Sequence, residues 1–252
     1  MSLFEELIEV KSVDKKIVKS FKTKDSLSGD IFKSSGSEFF MHDEIKKRLL
    51  EIADNFIDFL GIEFFIHDII LTGSLANYNW SKYSDVDLHI VIDYQETEYK
   101  LDILNEFFES KKSLWNKTHN IKIKNYDVEL YVQDIDHKMV SSGVYSVLHD
   151  KWLVVPEKSK PNIDDDKIIE KGEEYANQID ELISKNKDGE DVSVDVVELK
   201  DKIKKFRQSG LEDGGEYSYE NLTFKLLRRN GYIEKLINLK SEVADKKLSI
   251  TQ

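Results

Sequence analysis

The chain has 252 residues, with 37 Lys and Arg against 49 Asp and Glu, a formal net charge of −12, two prolines and no cysteine. Without cysteine it can form no disulfide, no zinc-thiolate site and no thiol nucleophile, and it fits a reducing compartment. The acidic balance speaks against coating long double-stranded DNA, because such binding comes mainly from Lys and Arg neutralising phosphates; one local basic groove is still compatible with it.

At roughly 100 to 200 residues per domain, the length allows one large domain or two modest ones. Apolar runs such as 69–71, 90–92 and 152–155 are far shorter than the about 18 residues of a membrane span. The start, MSLFEELIEVKSVDKK, lacks the basic and apolar regions of a secretory signal. A cytoplasmic protein with no membrane partner is expected.

Residues 1–40 carry little periodicity, and the Ser/Lys/Asp/Gly-rich run from Lys19 to Ser37 reads as loop, or as an arm laid over the body. From Asp43, apolar residues at Ile45, Leu49, Ile52, Phe56 and Phe59 or Leu60 predict an amphipathic helix stopped by Gly61. Asp68 to Leu71 is a short β-branched strand ended by Thr72-Gly73-Ser74, and Asp85 to Asp93 is a second. Glu96 to Trp115 reads as helix, and Ile121 to Val132 as two strands joined by a turn at Lys124-Asn125.

Ser141 to Val155 looks strand-like or mixed and is stopped by Pro156, and Pro156 to Pro161 is a plausible linker. Three helices follow: one through Ile168, Tyr175, Ile179 and Leu182, one through Val196, Leu199, Ile203 and Phe206 before Gly210, and one from near Ser218 through Leu222, Leu226, Ile233 and Leu236. The fold class expected is α/β (α+β), a short mixed β-sheet flanked by helices and followed by a C-terminal helical bundle.

The chemistry is concentrated in LTGSLANYNWSKYSDVDLHIVI, residues 71–92. It sets Gly73-Ser74 at a strand end, ten residues of turn, and Asp85-Val86-Asp87 at the start of the next strand. Strand alternation aims Asp85 and Asp87 to one face and Val86 and Leu88 into the core. Two adjacent carboxylates repel unless a cation sits between them, and hard oxygen ligands suit Mg²⁺. Tyr126-Asp127-Val128-Glu129-Leu130 offers a third acid on a neighbouring strand, Glu129. Three acids beside a Gly-Ser turn make sense for nucleotidyl transfer: two metals would bridge the triphosphate and the attacking oxygen and stabilise leaving pyrophosphate. The turn would let backbone N–H groups and the Ser74 hydroxyl hold phosphates.

This pattern of Gly-Ser, a ten-residue gap, Asp-x-Asp and a later apolar-acid-apolar strand resembles the DNA polymerase beta-like nucleotidyltransferase superfamily, over roughly residues 41–135. Within it, LTGSLANYNWSKYSDVDLHIVI with YDVELYVQD is similar to predicted nucleotidyltransferases of large tailed bacteriophages, for which the compartment would be the host cytoplasm. The resemblance implies a nucleotidyltransferase core that moves a nucleoside monophosphate from an NTP, ATP preferred, to a hydroxyl acceptor. Gly73 and Ser74 would bind the nucleotide phosphates. Asp85 and Asp87 would hold both Mg²⁺ ions, with Mn²⁺ as a possible substitute, and Glu129 would be the third acid.

Asp127, two residues earlier on the same face as Glu129, competes for that third position. Lys82 reads equally as a phosphate contact or a solvated loop lysine, and Tyr145 either lines the nucleotide pocket or belongs to a strand and turn. His89 either borders the site or is structural, and Tyr78, Asn79 and Trp80 either pack the turn or meet a base or acceptor. Lys200, Lys202, Lys204, Lys205, Arg207, Lys225, Arg228 and Arg229 read as solvated helix faces or as groups that cap a triphosphate.

The expected organisation is an arm over 1–40, a catalytic domain over 41–157 and a helical domain over 162–252 that closes the cleft. The acceptor stays open between an RNA or tRNA 3′ end, a protein hydroxyl, a second nucleotide and a small molecule. The rival reading is a non-catalytic, antitoxin-like nucleotide-binding regulator that keeps the fold.

Overall fold

A computed structural model describes residues 13–36, 38–97, 99–137 and 141–250. The first twelve residues of the expected arm, including most of the segment read for a signal peptide, and Ser37 lie outside the described residues. The chain divides into two compact units: one covers 23–160, and the other joins 161–252 with the chain's first 22 residues.

The unit 23–160 opens with an antiparallel hairpin, β1 (Phe32–Ser35) and β2 (Glu38–Met41). Helix α1 (Asp43–Leu60) follows where the apolar spacing requires it. It buries Ile45, Leu49, Ile52, Phe56 and Leu60, and Gly61 ends it at φ 73°, the left-handed conformation that favours glycine at a helix stop.

Strands β3 (Asp68–Thr72) and β4 (Val86–Ile92) come next, then α2 (Leu101–Thr118), β5 (Lys122–Ile123), β6 (Tyr126–Asp134), β7 (Val144–Ser146) and β8 (Lys151–Val154). Helix α2 starts five residues later than its apolar pattern suggests. Asp93 instead caps a separate 3₁₀ turn at Tyr94–Glu96 by accepting from the Gln95 N–H at 2.7 Å. The turn between β5 and β6 sits at Lys124, whose φ is 54°.

One six-stranded mixed sheet has the order β5-β6-β4-β3-β7-β8. Only β4 and β6 run parallel, as expected for strands joined through the crossover helix α2. One face carries the core: Ile69, Leu71, Leu88, Ile90 and Leu130 are buried there with residues of α1 and α2. At about 25 cal/mol per Å² of apolar surface, such burial supplies most of the stabilisation. The opposite face of β4 and β6 carries the polar residues.

The second unit is helical: α3 (Asp165–Lys187), α4 (Ser193–Gly214), α5 (Tyr219–Arg229) and α6 (Tyr232–Leu248). The expected α/β layer and C-terminal helical bundle are both observed. The third expected helix is two, because Gly231 at φ 76° breaks it between Arg229 and Tyr232. A 3₁₀ segment, Lys15–Phe21, belongs to this unit and buries Ile17, Val18 and Phe21. Its sequence, KKIVKSF, shows neither a helical nor a strand period, so it reads as loop until the apolar surface it covers is known.

Candidate functional site

The site begins with the register of three strands. In the antiparallel pair β3–β4, Thr72 stands opposite Asp87; in the parallel pair β4–β6, Asp87 stands beside Glu129. Neighbouring residues on adjacent strands point to the same face. Thr72, Asp87 and Glu129 therefore lie in one row across the sheet. His89, Tyr131 and Gln133 occupy the next positions on that face, while Val86, Leu88, Val128 and Leu130 alternate into the interior.

Gly73 follows directly at the end of β3, with φ 72° and ψ −159°, a conformation open mainly to glycine. A Cβ on Gly73 would sit 1.9 Å from Asp87 Oδ2. The absence of that carbon is what lets the backbone turn run against the carboxylate. Ser74 starts the short 3₁₀ turn Ser74–Ala76 and donates its hydroxyl to Ser84 Oγ at 2.8 Å. Ser84 also accepts from the Ser81 N–H at 2.9 Å, so its hydroxyl ties both ends of the loop that leads to Asp85.

Tyr131 reports where the acids are. Burial of the phenol raises its pKa most, and the negative charges of Glu129, Asp87 and Asp85 raise it further. All three acids are thus electrostatic neighbours of one hydroxyl, and that hydroxyl donates to Glu129 Oε2. His89 stacks on the Tyr131 ring with centroids 4.6 Å apart, and its Nδ1 meets Gln133 Oε1 at 2.7 Å. Burial holds its pKa down to about 4, so the imidazole is neutral at pH 7 and adds no positive charge beside the carboxylates. Tyr131, Gln133 and Ser84 were missed in the sequence. The period of two along YDVELYVQD would have found Tyr131 and Gln133, since both share the face of Glu129.

Asp127 is exposed and pairs with Lys122 on β5 at 2.5 Å, whereas Glu129 is half-buried beside Asp87. Lys82 is exposed and lies over the Tyr83 ring, 4.9 Å from its centroid. The structure does not bring Tyr145 to the carboxylates. It pairs with Leu71 and shares that residue's core face, where its hydroxyl donates to Asp150 at 2.7 Å. Tyr145, Tyr78, Phe39 and Trp152 instead line a separate cavity of about 300 Å³. Trp80 donates from its indole N–H to Ser26 O at 2.8 Å, and Tyr78 O accepts from the Lys24 N–H at 2.7 Å. Part of the run read as loop or arm, residues 24–26, thus supports this turn.

On the helical unit, Lys202, Lys204, Lys205 and Arg228 are exposed, while Arg207, Lys225 and Arg229 are half-buried. Burial lowers the pKa of Lys225 to about 8, and Arg229, Arg228 and Arg207 press the same way against the opposing pull of Glu216.

A cluster of three carboxylates with only oxygen donors fits a hard divalent cation such as Mg²⁺ better than a soft metal. The half-buried carboxylates and the glycine cradle at Asp87 are compatible with such an ion and a phosphate beside it.

No protein-family model matches the chain, and no curated protein matches it. Among solved structures it is similar to a STING-associated CdnE c-di-GMP synthase from Capnocytophaga granulosa, with 13% sequence identity, 82% of this chain and 84% of that chain covered, and a TM-score of 0.23. A likeness at that score shows neither fold nor function.

Proposed function

We propose that the protein is a divalent-metal-dependent nucleotidyltransferase that moves a nucleoside monophosphate from an NTP to an acceptor hydroxyl. The observation that carries this reading is the row Thr72–Asp87–Glu129 across β3, β4 and β6, closed by the Gly73 turn against Asp87 and joined by Asp85 around the Tyr131 hydroxyl. It supplies carboxylates and a phosphate-approachable turn on rigid strands, where positioning accounts for much of a phosphoryl-type transfer.

In the reaction, the acceptor oxygen attacks the α-phosphorus and forms the new P–O bond. The bond from that phosphorus to the β-bridging oxygen breaks, pyrophosphate leaves, and the hydroxyl proton passes to a carboxylate. Asp85, Asp87 and Glu129 would hold the metal, and Glu129 would also take the proton. A bound Mg²⁺ supplies positive charge that offsets the triphosphate and lowers the hydroxyl pKa. Backbone N–H groups at Gly73 and Ser74 would hold the departing phosphates, and the Ser74 hydroxyl would join them by turning its proton from Ser84 to a phosphate oxygen. Tyr131 is a positioning residue: its hydrogen bond orients Glu129, and His89 keeps the phenol ring in place by stacking.

The test is incubation with each α-labelled NTP, Mg²⁺ and a cell lysate, following label into RNA, protein and small molecules along with pyrophosphate release. Label in one fraction is expected and names the acceptor class. The double substitution Asp85→Asn/Asp87→Asn should lower transfer by roughly 10³-fold or more, the scale of losing charge stabilisation at a reacting centre. No label with any NTP, or undiminished transfer in the double variant, overturns the proposal.

A further inference from the structure

We infer that a second metal site, selective for a borderline ion such as Zn²⁺, lies at the far end of β4 from the carboxylate row, built from His67, Asp93 and Glu96. Each residue brings one ligand atom to within 4.8 Å of the other two. Asp87 stands at the start of β4 and Asp93 just after its end, so the length of this seven-residue strand, roughly 20 Å, separates the two clusters. An ion here cannot also serve Asp85, Asp87 and Glu129. The inference is independent of the nucleotidyltransferase reading.

The geometry accommodates a shared ion as well as the long direct His67–Glu96 contact. His67 Nε2 and Glu96 Oε2 are 3.4 Å apart, longer than a good hydrogen bond of about 2.7 to 3.2 Å. That spacing matches two ligands held tetrahedrally at about 2.0 to 2.1 Å from one zinc. Asp93 Oδ1 already accepts from the Gln95 N–H at 2.7 Å. This is the type of outer hydrogen bond that fixes a ligating carboxylate and leaves its other oxygen for the ion. The His67 backbone is tied to Val91 O at 2.9 Å, and its ring is held edge-on by Phe65 with centroids 4.8 Å apart.

The surroundings of the two carboxylates, though not of His67, are a cavity of about 340 Å³, and the charged residues that line it, Glu63, Asp93 and Glu96, are all acidic. No Lys or Arg is among the described residues of that lining. A water would complete four-coordination. One imidazole with two carboxylates binds Zn²⁺ more tightly than Mn²⁺ by the usual order of divalent ions, and the imidazole disfavours Mg²⁺ and Ca²⁺. The ion would clip the connection between α1 and β3 to the 3₁₀ turn after β4.

Isothermal titration with Zn²⁺ in millimolar Mg²⁺, together with the visible absorption of bound Co²⁺, tests the site. One Zn²⁺ per chain is expected. His67→Gln should weaken Zn²⁺ binding by about 10- to 100-fold and alter the Co²⁺ spectrum, while Asp85→Asn/Asp87→Asn should leave both unchanged. Glu96→Gln, at a side chain 56% exposed, provides a second variant that leaves the core intact. No Zn²⁺ uptake in the presence of Mg²⁺ overturns the inference. So does uptake that survives both His67→Gln and Glu96→Gln, or that is lost only in the Asp85/Asp87 variant. Because the readout is metal binding, inactivity toward every NTP leaves this result interpretable.

Discussion

The two units each hold a cluster of like charges, of opposite sign, and they manage it differently. In the sheet unit, Asp85, Asp87 and Glu129 lie around a half-buried phenol, on or beside strands that fix them in place. In the helical unit, Arg207, Arg228 and Arg229 lie near Lys225, whose pKa is lowered to about 8 chiefly by burial and against the opposing pull of Glu216, so the ammonium stays mostly protonated at pH 7. Strand-held carboxylates beside a glycine turn suit the proposed binding of a cation and a phosphate together. The lysine is instead disfavoured mainly by its own burial, with Glu216 offsetting part of that cost. Like charges held on rigid backbone suit a binding site, whereas an ammonium disfavoured by burial is a term in stability.

The largest break in this contrast is expected from Gly73→Ala. The new methyl meets Asp87 Oδ2 at 1.9 Å in a backbone conformation that alanine rarely adopts. Nucleotidyl transfer should fall by about 10²-fold or more, as a misplacement near 1 Å does at a reacting centre, and stability by about 1 to 3 kcal/mol from backbone strain. Gly61→Ala is the control, with a similar φ of 73° and nothing within 4 Å. It should lose about 1 kcal/mol and keep its activity. Equal kinetic effects of the two substitutions would remove the role given to the Gly73 turn.

Lys225→Met should stabilise the chain at pH 7 by up to about 3 kcal/mol, since each unit between folded and unfolded pKa is worth 1.36 kcal/mol. The folded value of about 8 lies below the ordinary 10.5. Between these values the unfolded chain binds more protons, so the wild-type contribution improves as pH rises from 8 to 10.5 and is fully unfavourable below 8. Urea unfolding at pH 7 and pH 10 should show the advantage of the variant shrinking across that window. An advantage that stays constant or grows would contradict desolvation of the ammonium.

The smallest effect is expected from Tyr131→Phe. Losing the hydrogen bond to Glu129 should change stability by about 1 to 2 kcal/mol. Nucleotidyl transfer should drop by roughly tenfold with KM for the NTP little changed, as suits a residue that orients an acid without touching substrate. A rise in KM with unchanged kcat would instead place Tyr131 in ground-state binding.

Much of this was legible in the chain. The apolar spacing through Ile45, Leu49, Ile52 and Phe56 reports helix α1 directly, because each of these residues must reach one buried stripe. The alternation Val86-Asp87-Leu88-His89 fixes which side chains meet solvent, because the period of a strand is two. The 3₁₀ segment Lys15–Phe21 and the hairpin β1–β2 were not legible, since short elements carry too few residues to establish a period and are stabilised by what they cover. Likewise the chemistry of Tyr145 looked ambiguous, and its register opposite Leu71 assigned it to the core.

Sequence alone, through local spacing and side-chain chemistry, determined an α/β chain with a helical C-terminal part, no thiol chemistry, and acids at Asp85, Asp87 and Glu129 with a Gly-Ser turn before them. Only the tertiary structure decided which of these residues meet. The parallel register of β4 with β6 brings Glu129 beside Asp87 across 42 positions of chain, and β4 itself separates that row from His67, Asp93 and Glu96. Pairing between strands distant in the chain depends on hydrogen bonds and packing that no local pattern encodes, so the acids and their neighbouring strand could be named in advance, while the register that sets Asp87 beside Glu129 and opposite Thr72 could not.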